Sequence, residues 1–312
     1  MNDSAFIEAA SGPVSQALKR GRGARERLQF GTSIRGDGPP DATARPGRAG
    51  STQRSMASLL EPLAAADISP HLARQPGLRF ERGGHSHELP RYRFTGPPGG
   101  GDATRLGVFA TIHGDEAESG LGLVRFLQEL AAHPELARGF VIHAYPVCNP
   151  TGYRDATRHA RGGPDLNREF WLGSGEPEVR LLEEELRRHR FHGIVSLHCD
   201  DTSHGLYGFL SGRRNSAVLS ASLLEPALRA AEAILPRNLD PEIDGFDARS
   251  GVLWSCYDGV LRAPVEQAQA PFEITFETPQ HALLTDQVEA INAALISILA
   301  EFRQLLSHAA NI

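Results

Sequence analysis

A strand-like segment, a short polar loop and a helix-like segment follow one another in the first half of the chain, and this order constrains the fold more than any other feature. Residues 105–112, RLGVFATI, are apolar and β-prone, and residues 120–130, GLGLVRFLQEL, have the apolar spacing of a helix. Between them, His113, Asp115 and Glu116 come at the end of the strand-like run. An imidazole and two carboxylates in that place predict a functional site.

The alternation of strand and helix patterns continues from residue 90 to near the end of the chain. The predicted strands are 92–94, 105–112, 140–147, 193–198, 206–210 and 272–277, and the predicted helices are 117–131, 176–189, 215–234 and 283–306. Strands that alternate with helices are typical of an α/β sandwich around a largely parallel or mixed sheet.

The composition is that of an ordinary globular protein, with 312 residues, 40% hydrophobic and 22% charged. A net charge of −6 without a basic face gives no indication of nucleic-acid binding. No apolar run approaches the roughly 18–20 residues of a membrane span, and the N-terminus lacks the apolar core of a signal peptide. Three cysteines are typical of reduced thiols. We therefore expect a cytoplasmic protein that acts without a membrane.

The first 55 residues differ from the rest of the chain. They carry nine Lys and Arg against five Asp and Glu, and residues 19–55 are rich in Arg, Gly and Pro without periodic apolar positions. This composition predicts a disordered basic tail. Met56 is a plausible natural start of translation, so the tail is interpreted as an over-extended reading frame. We expect a single catalytic domain over residues 56–312, which keeps its activity without the tail.

Reactive side chains occur at four places along the predicted sheet. The first place holds His113 and Glu116, and the second is the loop 149–170. The third holds His198, in SLHCDD, and the fourth holds Glu277, in FEITFETP. Ligands of open α/β sheets bind at the carboxyl ends of strands. We therefore expect these four places to meet at one edge of the sheet.

Two histidines and one glutamate are a complete protein ligand set for catalytic zinc, which keeps one open position for water. His113 and Glu116 are three residues apart at a strand-to-helix corner, and His198 would come from a neighbouring strand. A metal ion held in this way lowers the pKa of water toward ~7. Glu277 is then suited to take the water proton and pass it to a leaving nitrogen. We predict one zinc ion per chain, with Glu277 as a catalytic residue.

The loop 149–170 supplies cationic side chains. Either Arg158 or Arg161 is suited to polarise a scissile carbonyl. Asn167 and Arg168 are adjacent, and a guanidinium binds a carboxylate through two parallel hydrogen bonds. The substrate predicted from these residues is an amide beside a free carboxylate.

These motifs resemble the zinc carboxypeptidase superfamily, which is carboxypeptidase A-like and includes murein peptide amidases and the succinylglutamate desuccinylase/aspartoacylase branch. The similar segments are IHGDE, TRHARGGPDLNREF, SLHCD and ITFETP, in that order. The resemblance implies a three-layer α/β/α sandwich with a mixed, largely parallel sheet. The roles it implies are metal ligation by His113, Glu116 and His198, catalysis by Glu277 and Arg158, and carboxylate binding by Asn167 and Arg168.

Two further residues follow from the resemblance alone. Carboxypeptidases carry a mobile tyrosine some twenty residues before the catalytic glutamate, where Tyr257 stands, and a pocket-base residue about fifteen before it, which counts to Arg262. The resemblance therefore assigns both to substrate binding, and an arginine at the pocket base implies a substrate with a second carboxylate. The alternative is that Arg262 is a surface residue or pairs with Glu266, one helical turn further on.

The family branch is left open by these motifs. The HGDE form of the first motif is typical of the deacylase branch and of murein peptide amidases, and Glu169 replaces the usual Asn of DLNRNF. Tyr257 and the single helix-like segment after Glu277 favour the peptidase branch. We expect a metallocarboxypeptidase-type hydrolase that acts on short peptides. The alternatives are an N-acyl-amino-acid deacylase and a catalytically inactive binding protein on the same fold.

Overall fold

A computed structural model describes residues 53–64, 69–211 and 214–309 of the chain. Residues 1–52 of the predicted tail lie outside the described residues. Arg54 and Ser55 are described, and both contact the domain: the Arg54 N–H donates to the Arg154 carbonyl at 3.0 Å, and the Tyr153 hydroxyl donates to the Ser55 carbonyl at 3.5 Å. The chain that contacts the domain therefore includes two residues before Met56, where the sequence placed the boundary.

Ten strands form one mixed sheet in the described residues, in the order β1-β2-β4-β3-β5-β10-β6-β9-β8-β7. The strands are β1 (Leu72–Arg82), β2 (His85–Thr95), β3 (Thr104–Ala110), β4 (Phe140–Tyr145), β5 (Gly193–Asp200), β6 (Tyr207–Leu210), β7 (Glu242–Ile243), β8 (Phe246–Arg249), β9 (Val252–Leu253) and β10 (Phe272–Pro279). The four central strands, β4, β3, β5 and β10, are mutually parallel. Their carboxyl ends therefore meet at the same edge.

Helices cover both faces of this sheet. They are α1 (Met56–Ala64), α2 (Ala117–Ala132), α3 (Pro150–Asp155), α4 (Pro177–His189), α5 (Arg214–Ala231) and α6 (Leu284–Ala309), with short 3-10 helices at Pro134–Ala137 and Leu166–Arg168. One core joins α1, α2, α5 and α6 to the sheet, and a second joins α4 to the opposite face. Val108 lies in the first core and Phe109 in the second, because successive residues of a strand point to opposite faces. The predicted α/β/α sandwich is confirmed.

The outer strands differ most from the sequence expectation. Five of the nine strand pairings in the described residues are antiparallel, so the sheet is parallel mainly at its centre. The sequence did not predict β1 or β7–β9. β1 is half-exposed and rich in charge, so it lacks an apolar run. A turn with positive φ at Gly83 and Gly84 joins it to β2, as hairpin geometry favours.

Helix α6 is long and apolar enough to cross a membrane by length and composition alone, which the sequence reading did not anticipate. Within its apolar stretch, 44% of the residues are buried inside the domain. Ile291, Leu295 and Ile298 lie in the first core with residues of α2 and α5. These contacts are those of a core helix.

A buried carboxylate links α4 to the sheet. The Glu185 side chain is only 3% exposed, and its Oε2 accepts hydrogen bonds from the Tyr145 hydroxyl at 2.8 Å and from Arg91 Nη1 at 2.6 Å. His189 Nε2 lies 3.3 Å from the same oxygen. Burial alone would raise the pKa of Glu185, but His189, Tyr145 and Arg91 lower it to about 2.

We expect Glu185→Gln to lower the free energy of unfolding by roughly 1.5–3 kcal/mol, because hydrogen bonds to a charged group contribute about that much. The loss should be full at neutral pH and shrink as the pH falls below about 4 toward 2, because wild-type Glu185 then becomes protonated in the folded protein as well. Urea unfolding of the wild type and the variant at pH 7 and pH 3 measures this difference in the free energy of unfolding. Glu184→Gln, at an exposed position of the same helix, is the control. An equal effect of both variants would contradict a role of the buried network.

Candidate metal centre and active site

The parallel pairing of β3 with β5 brings two histidines together. Ala110 at the end of β3 pairs with Leu197 of β5. His198 is the next residue of β5, and His113 follows the end of β3 by three residues. Both histidines therefore lie at the same end of these two strands. The two rings lie edge to face with centroids 4.9 Å apart, and the two Nδ1 atoms are 3.2 Å apart. Both side chains are buried. The carboxyl ends of two central strands therefore form the centre of the site.

The turn after β3 has an unusual backbone. Thr111 has φ of +53°, which is a strained conformation for a β-branched residue. Its N–H donates to the Ser119 hydroxyl oxygen at 3.0 Å, so α2 holds the turn. A Cβ on Gly114 would lie 2.0 Å from the carbonyl carbon of Gly152. Only glycine allows the loop to pack this closely.

Glu116 completes the predicted ligand set. Its Oε1 lies 2.6 Å from His113 Nδ1, and its Oε2 lies 3.1 Å from His198 Nδ1. The potential ligand atoms of His113, Glu116 and His198 all lie within 4.8 Å of one another. The structure thus brings together the three residues that the sequence predicted as metal ligands.

The far sides of both imidazoles have partners of their own. His113 Nε2 lies 3.2 Å from Asp165 Oδ1, and His198 Nε2 lies 3.0 Å from the Ser196 hydroxyl. Metal-binding histidines typically use one nitrogen for the ion and the other for such a partner. Both Nδ1 atoms face Glu116, so these residues fit a metal ion, and two histidines with one glutamate are donors suited to zinc.

The charges around Glu116 keep it ionised. Burial alone would raise its pKa, but His113 and His198 hold the pKa well below its usual range. Burial likewise opposes protonation of His113, yet Glu116 and Asp165 raise the pKa of that imidazole. Burial lowers the pKa of His198. The buried carboxylate has a concentrated negative charge where a cation would sit.

Glu277 lies on β10 beside this centre. It pairs in register with His198 on the parallel strand β5. Burial, followed by the charges of Glu116 and Asp200, raises the pKa of Glu277 well above its usual range. A buried carboxylate with a raised pKa beside a candidate metal site has the properties of a proton acceptor.

The two arginines left open by the sequence take different positions. Arg158 Nε and Nη2 donate to Asp165 Oδ2 at 3.1 and 2.9 Å, and its Nη1 lies 3.8 Å from Glu116. Arg161 pairs instead with Asp155. Arg158 is therefore the arginine at the centre.

Of the two predicted carboxylate-binding residues, Arg168 contacts Tyr257. The Arg168 guanidinium stacks over the Tyr257 ring at 4.1 Å, and the Tyr257 hydroxyl donates to the Asp244 carbonyl at 2.9 Å. Asn167 is buried, and its Oδ1 accepts from the Leu261 N–H at 2.9 Å. No carboxylate within the described ranges lies at ion-pair distance from Arg168, so its charge is available to a ligand.

Arg262 lies on the segment between Tyr257 and β10. Its carbonyl accepts from Trp171 Nε1 at 3.0 Å, and its buried Nε has no hydrogen-bond partner in the part of the chain that the structure describes. Glu266, the alternative partner, instead pairs with Arg187 at 3.2 Å. Burial raises the pKa of Cys256 to about 11, and Arg262 opposes this rise.

The sequence reading missed the residues that orient the site. Asp165 accepts hydrogen bonds from Arg158 and from the Asn167 N–H at 2.9 Å, and it contacts His113. The Cys199 N–H donates to Glu116 Oε2 at 3.1 Å. Asp165 is the first residue of DLNREF, so its place in that motif was the available signal. A backbone donor such as Cys199 leaves no signal in a sequence.

Comparison with solved structures supports the fold assignment. A candidate metallopeptidase from Shewanella denitrificans OS217 is 21% identical with a TM-score of 0.62, and the match covers 79% of this chain and 90% of that one. The metallo-carboxypeptidase of Pseudomonas aeruginosa, solved with (2-guanidinoethylmercapto)succinic acid, is 17% identical with a TM-score of 0.60, over 80% and 69% of the two chains. That of Burkholderia cenocepacia is 17% identical with a TM-score of 0.56, over 81% and 70%.

No protein-family model matches the sequence, and neither does any curated protein. The solved structures show the fold: this chain has the fold of the metallo-carboxypeptidases. The resemblance inferred from the four motifs is confirmed at the level of the fold.

We expect the purified chain to bind one zinc ion and His113→Ala to weaken that binding by more than ~100-fold, because losing an outer partner alone typically costs about 10–100-fold. Competition with a chromogenic chelator measures the affinity. His133→Ala is the control, since its side chain is 56% exposed at the end of α2. Unchanged zinc affinity in His113→Ala would contradict the proposed ligand set.

Proposed function

We propose that this protein is a zinc-dependent hydrolase that cleaves an amide bond next to a free carboxylate. The observation that carries the proposal is the convergence of His113, Glu116 and His198 at the edge of the sheet where Glu277 also lies. Arg158 and Arg168 provide positive charge at the same edge. A metal site, a buried carboxylate and cations are groups that metal-assisted amide hydrolysis uses.

Zinc held by His113, Glu116 and His198 would supply Lewis acidity, which makes water a better nucleophile at neutral pH. The orientation of the ligands comes from the chain itself. Asp165 and Ser196 fix the two imidazoles through their Nε2 atoms, and the Cys199 N–H fixes Glu116. A site built in advance needs little rearrangement when substrate binds.

In the proposed reaction, Glu277 moves the proton. Its carboxylate accepts a proton from the attacking water as the water oxygen bonds to the amide carbon. The same carboxyl group then gives that proton to the nitrogen as the C–N bond breaks. Burial and the neighbouring acids raise the pKa of Glu277, so its carboxylate is a stronger base and, once protonated, holds the proton between the two steps.

In the proposed reaction, Arg158 binds the oxygen of the scissile carbonyl, where negative charge develops. Asp165 holds its guanidinium through two nitrogens, so the cation is fixed before the reaction begins. The side chain remains 39% exposed, which leaves part of it accessible to a substrate.

Arg168 is the proposed partner of the substrate carboxylate, with Asn167 beside it. The Tyr257 ring under the Arg168 guanidinium limits its motion, so less conformational entropy is lost when a carboxylate binds. This arrangement supports a peptide substrate with a free C-terminal carboxylate.

Arg262 supports a finer proposal, a preference for a substrate with a second carboxylate. The Arg262 Nε is buried and has no hydrogen-bond partner among the described residues. Arg262 has no carboxylate at ion-pair distance within the described residues. A partly buried cation without a partner favours an anionic ligand group.

Two other functions use the same arrangement. An N-acyl-amino-acid deacylase would also need the metal, Glu277 and a carboxylate-binding arginine, and an inactive binding protein would keep the ligand site without turnover. Turnover by the zinc-loaded protein on matched panels of dipeptides and N-acyl-amino acids separates them. We expect dipeptide hydrolysis that a chelator abolishes. Preference for acyl-amino acids would identify the deacylase, and no turnover on either panel would contradict hydrolysis.

We expect Glu277→Gln to keep the zinc ion and to lower kcat by about 10²–10⁴-fold, the usual contribution of a general base. Glu273→Gln is the control on the same strand, since Glu273 accepts from the Ala263 N–H and has no role in the proposed reaction. Zinc content and kcat are measured for both variants. A near-normal kcat in zinc-loaded Glu277→Gln would rule out its role.

For Arg262, we expect kcat/KM to be higher for peptides ending in Glu or Asp than for those ending in Gln or Asn. Arg262→Ala should remove about 10–100-fold of this preference, because a charge-assisted hydrogen bond contributes about 1.5–3 kcal/mol. The neutral peptides are the internal control, and their kcat/KM should change little. A wild-type enzyme without an acidic preference, or a variant that keeps it, would overturn the assignment.

A further inference from the structure

Arg54, two residues before α1, contacts the loop that carries two of the three candidate metal ligands. Its Nη1 donates to the Gly114 carbonyl at 3.0 Å and to the Asp115 carbonyl at 3.2 Å. Gly114 and Asp115 are the whole link between His113 and Glu116. A cation from the N-terminal segment therefore binds the backbone that sets the spacing of these two ligands.

Arg54 is itself anchored to α3. Its N–H donates to the Arg154 carbonyl at 3.0 Å, and its guanidinium lies 5.9 Å from the centroid of the Tyr153 ring. The Tyr153 hydroxyl in turn donates to the Ser55 carbonyl. Gly114 packs against the backbone of α3. The arginine thus joins the ligand loop to the helix on which that loop rests.

The other hydrogen bonds of the loop link are weaker. The Gly114 N–H donates to the Arg158 carbonyl at 3.2 Å, and Gln280 Nε2 donates to the Asp115 carbonyl at 3.4 Å. Both have neutral donors, whereas hydrogen bonds from a guanidinium are stronger. Arg54 therefore makes the strongest polar contact of this link in the described residues.

We propose that Arg54 is a positioning residue of the metal centre, which fixes the loop so that His113 and Glu116 face one ion. The proposal rests on one part of the proposed function, which is that the centre binds zinc. It assigns a role to a residue in the stretch that the sequence interpreted as a dispensable tail. Removal of all 55 residues would then weaken the metal site, even though Met56 and the rest of α1 remain.

The test compares the full-length wild type with Arg54→Ala, Arg54→Lys and the control Arg79→Ala. Arg79 is 78% exposed and pairs with Glu88 on β2. It lines the same cavity as Arg54, but its side chain makes no hydrogen bond to the ligand loop in the described residues. Zinc affinity comes from chelator competition, and amide hydrogen exchange of residues 112–117 is followed in the metal-free protein. We expect Arg54→Ala to lose about 10–100-fold in zinc affinity, as outer partners typically do, and to exchange faster in this loop.

Arg54→Lys should recover most of the affinity, because both hydrogen bonds start from one nitrogen that an ammonium group can replace. Zinc affinity and loop exchange that are unchanged in Arg54→Ala, or lowered equally in Arg79→Ala, would overturn the role of Arg54. If Arg54→Ala does not fold, Arg54→Lys becomes the deciding variant. Fast exchange of its loop amides together with weak zinc binding would overturn the role of Arg54. A wild type without zinc binding would contradict the proposed function itself, whereas the other failures concern Arg54 alone.

Discussion

The candidate metal centre depends on one contact, the approach of Glu116 to the Nδ1 atoms of His113 and His198. A buried carboxylate between two imidazoles is costly unless positive charge compensates it. The surrounding groups are arranged around this requirement: Asp165 and Ser196 hold the far side of each ring, and a backbone N–H binds the carboxylate. These partners leave the inner nitrogens directed at a common point, as a metal ion needs.

The central strands explain why the sequence predicted this centre so well. Parallel strands end at one edge, and β3, β5 and β10 are parallel neighbours. Residues at their ends must therefore meet, whatever the length of the connections between them. His113, His198 and Glu277 each follow or end an apolar run, so their meeting place was readable from the sequence.

The remaining features depend on contacts that leave no periodic pattern. Strand β1 is charged and half-exposed, so its alternation is weak. Asp165 acts through Arg158 and His113, which lie 7 and 52 residues away in the chain. Arg54 stands in an Arg-rich stretch without an apolar face, and only its three-dimensional contact with the ligand loop distinguishes it from its neighbours.

Anomalous diffraction at the zinc absorption edge, from crystals of the zinc-loaded protein, would locate the metal ion. We expect one strong anomalous peak, bounded by Nδ1 of His113, Nδ1 of His198 and the carboxylate of Glu116. A peak coordinated through the Nε2 atoms, or zinc bound elsewhere with these three side chains paired only to one another, would contradict this expectation.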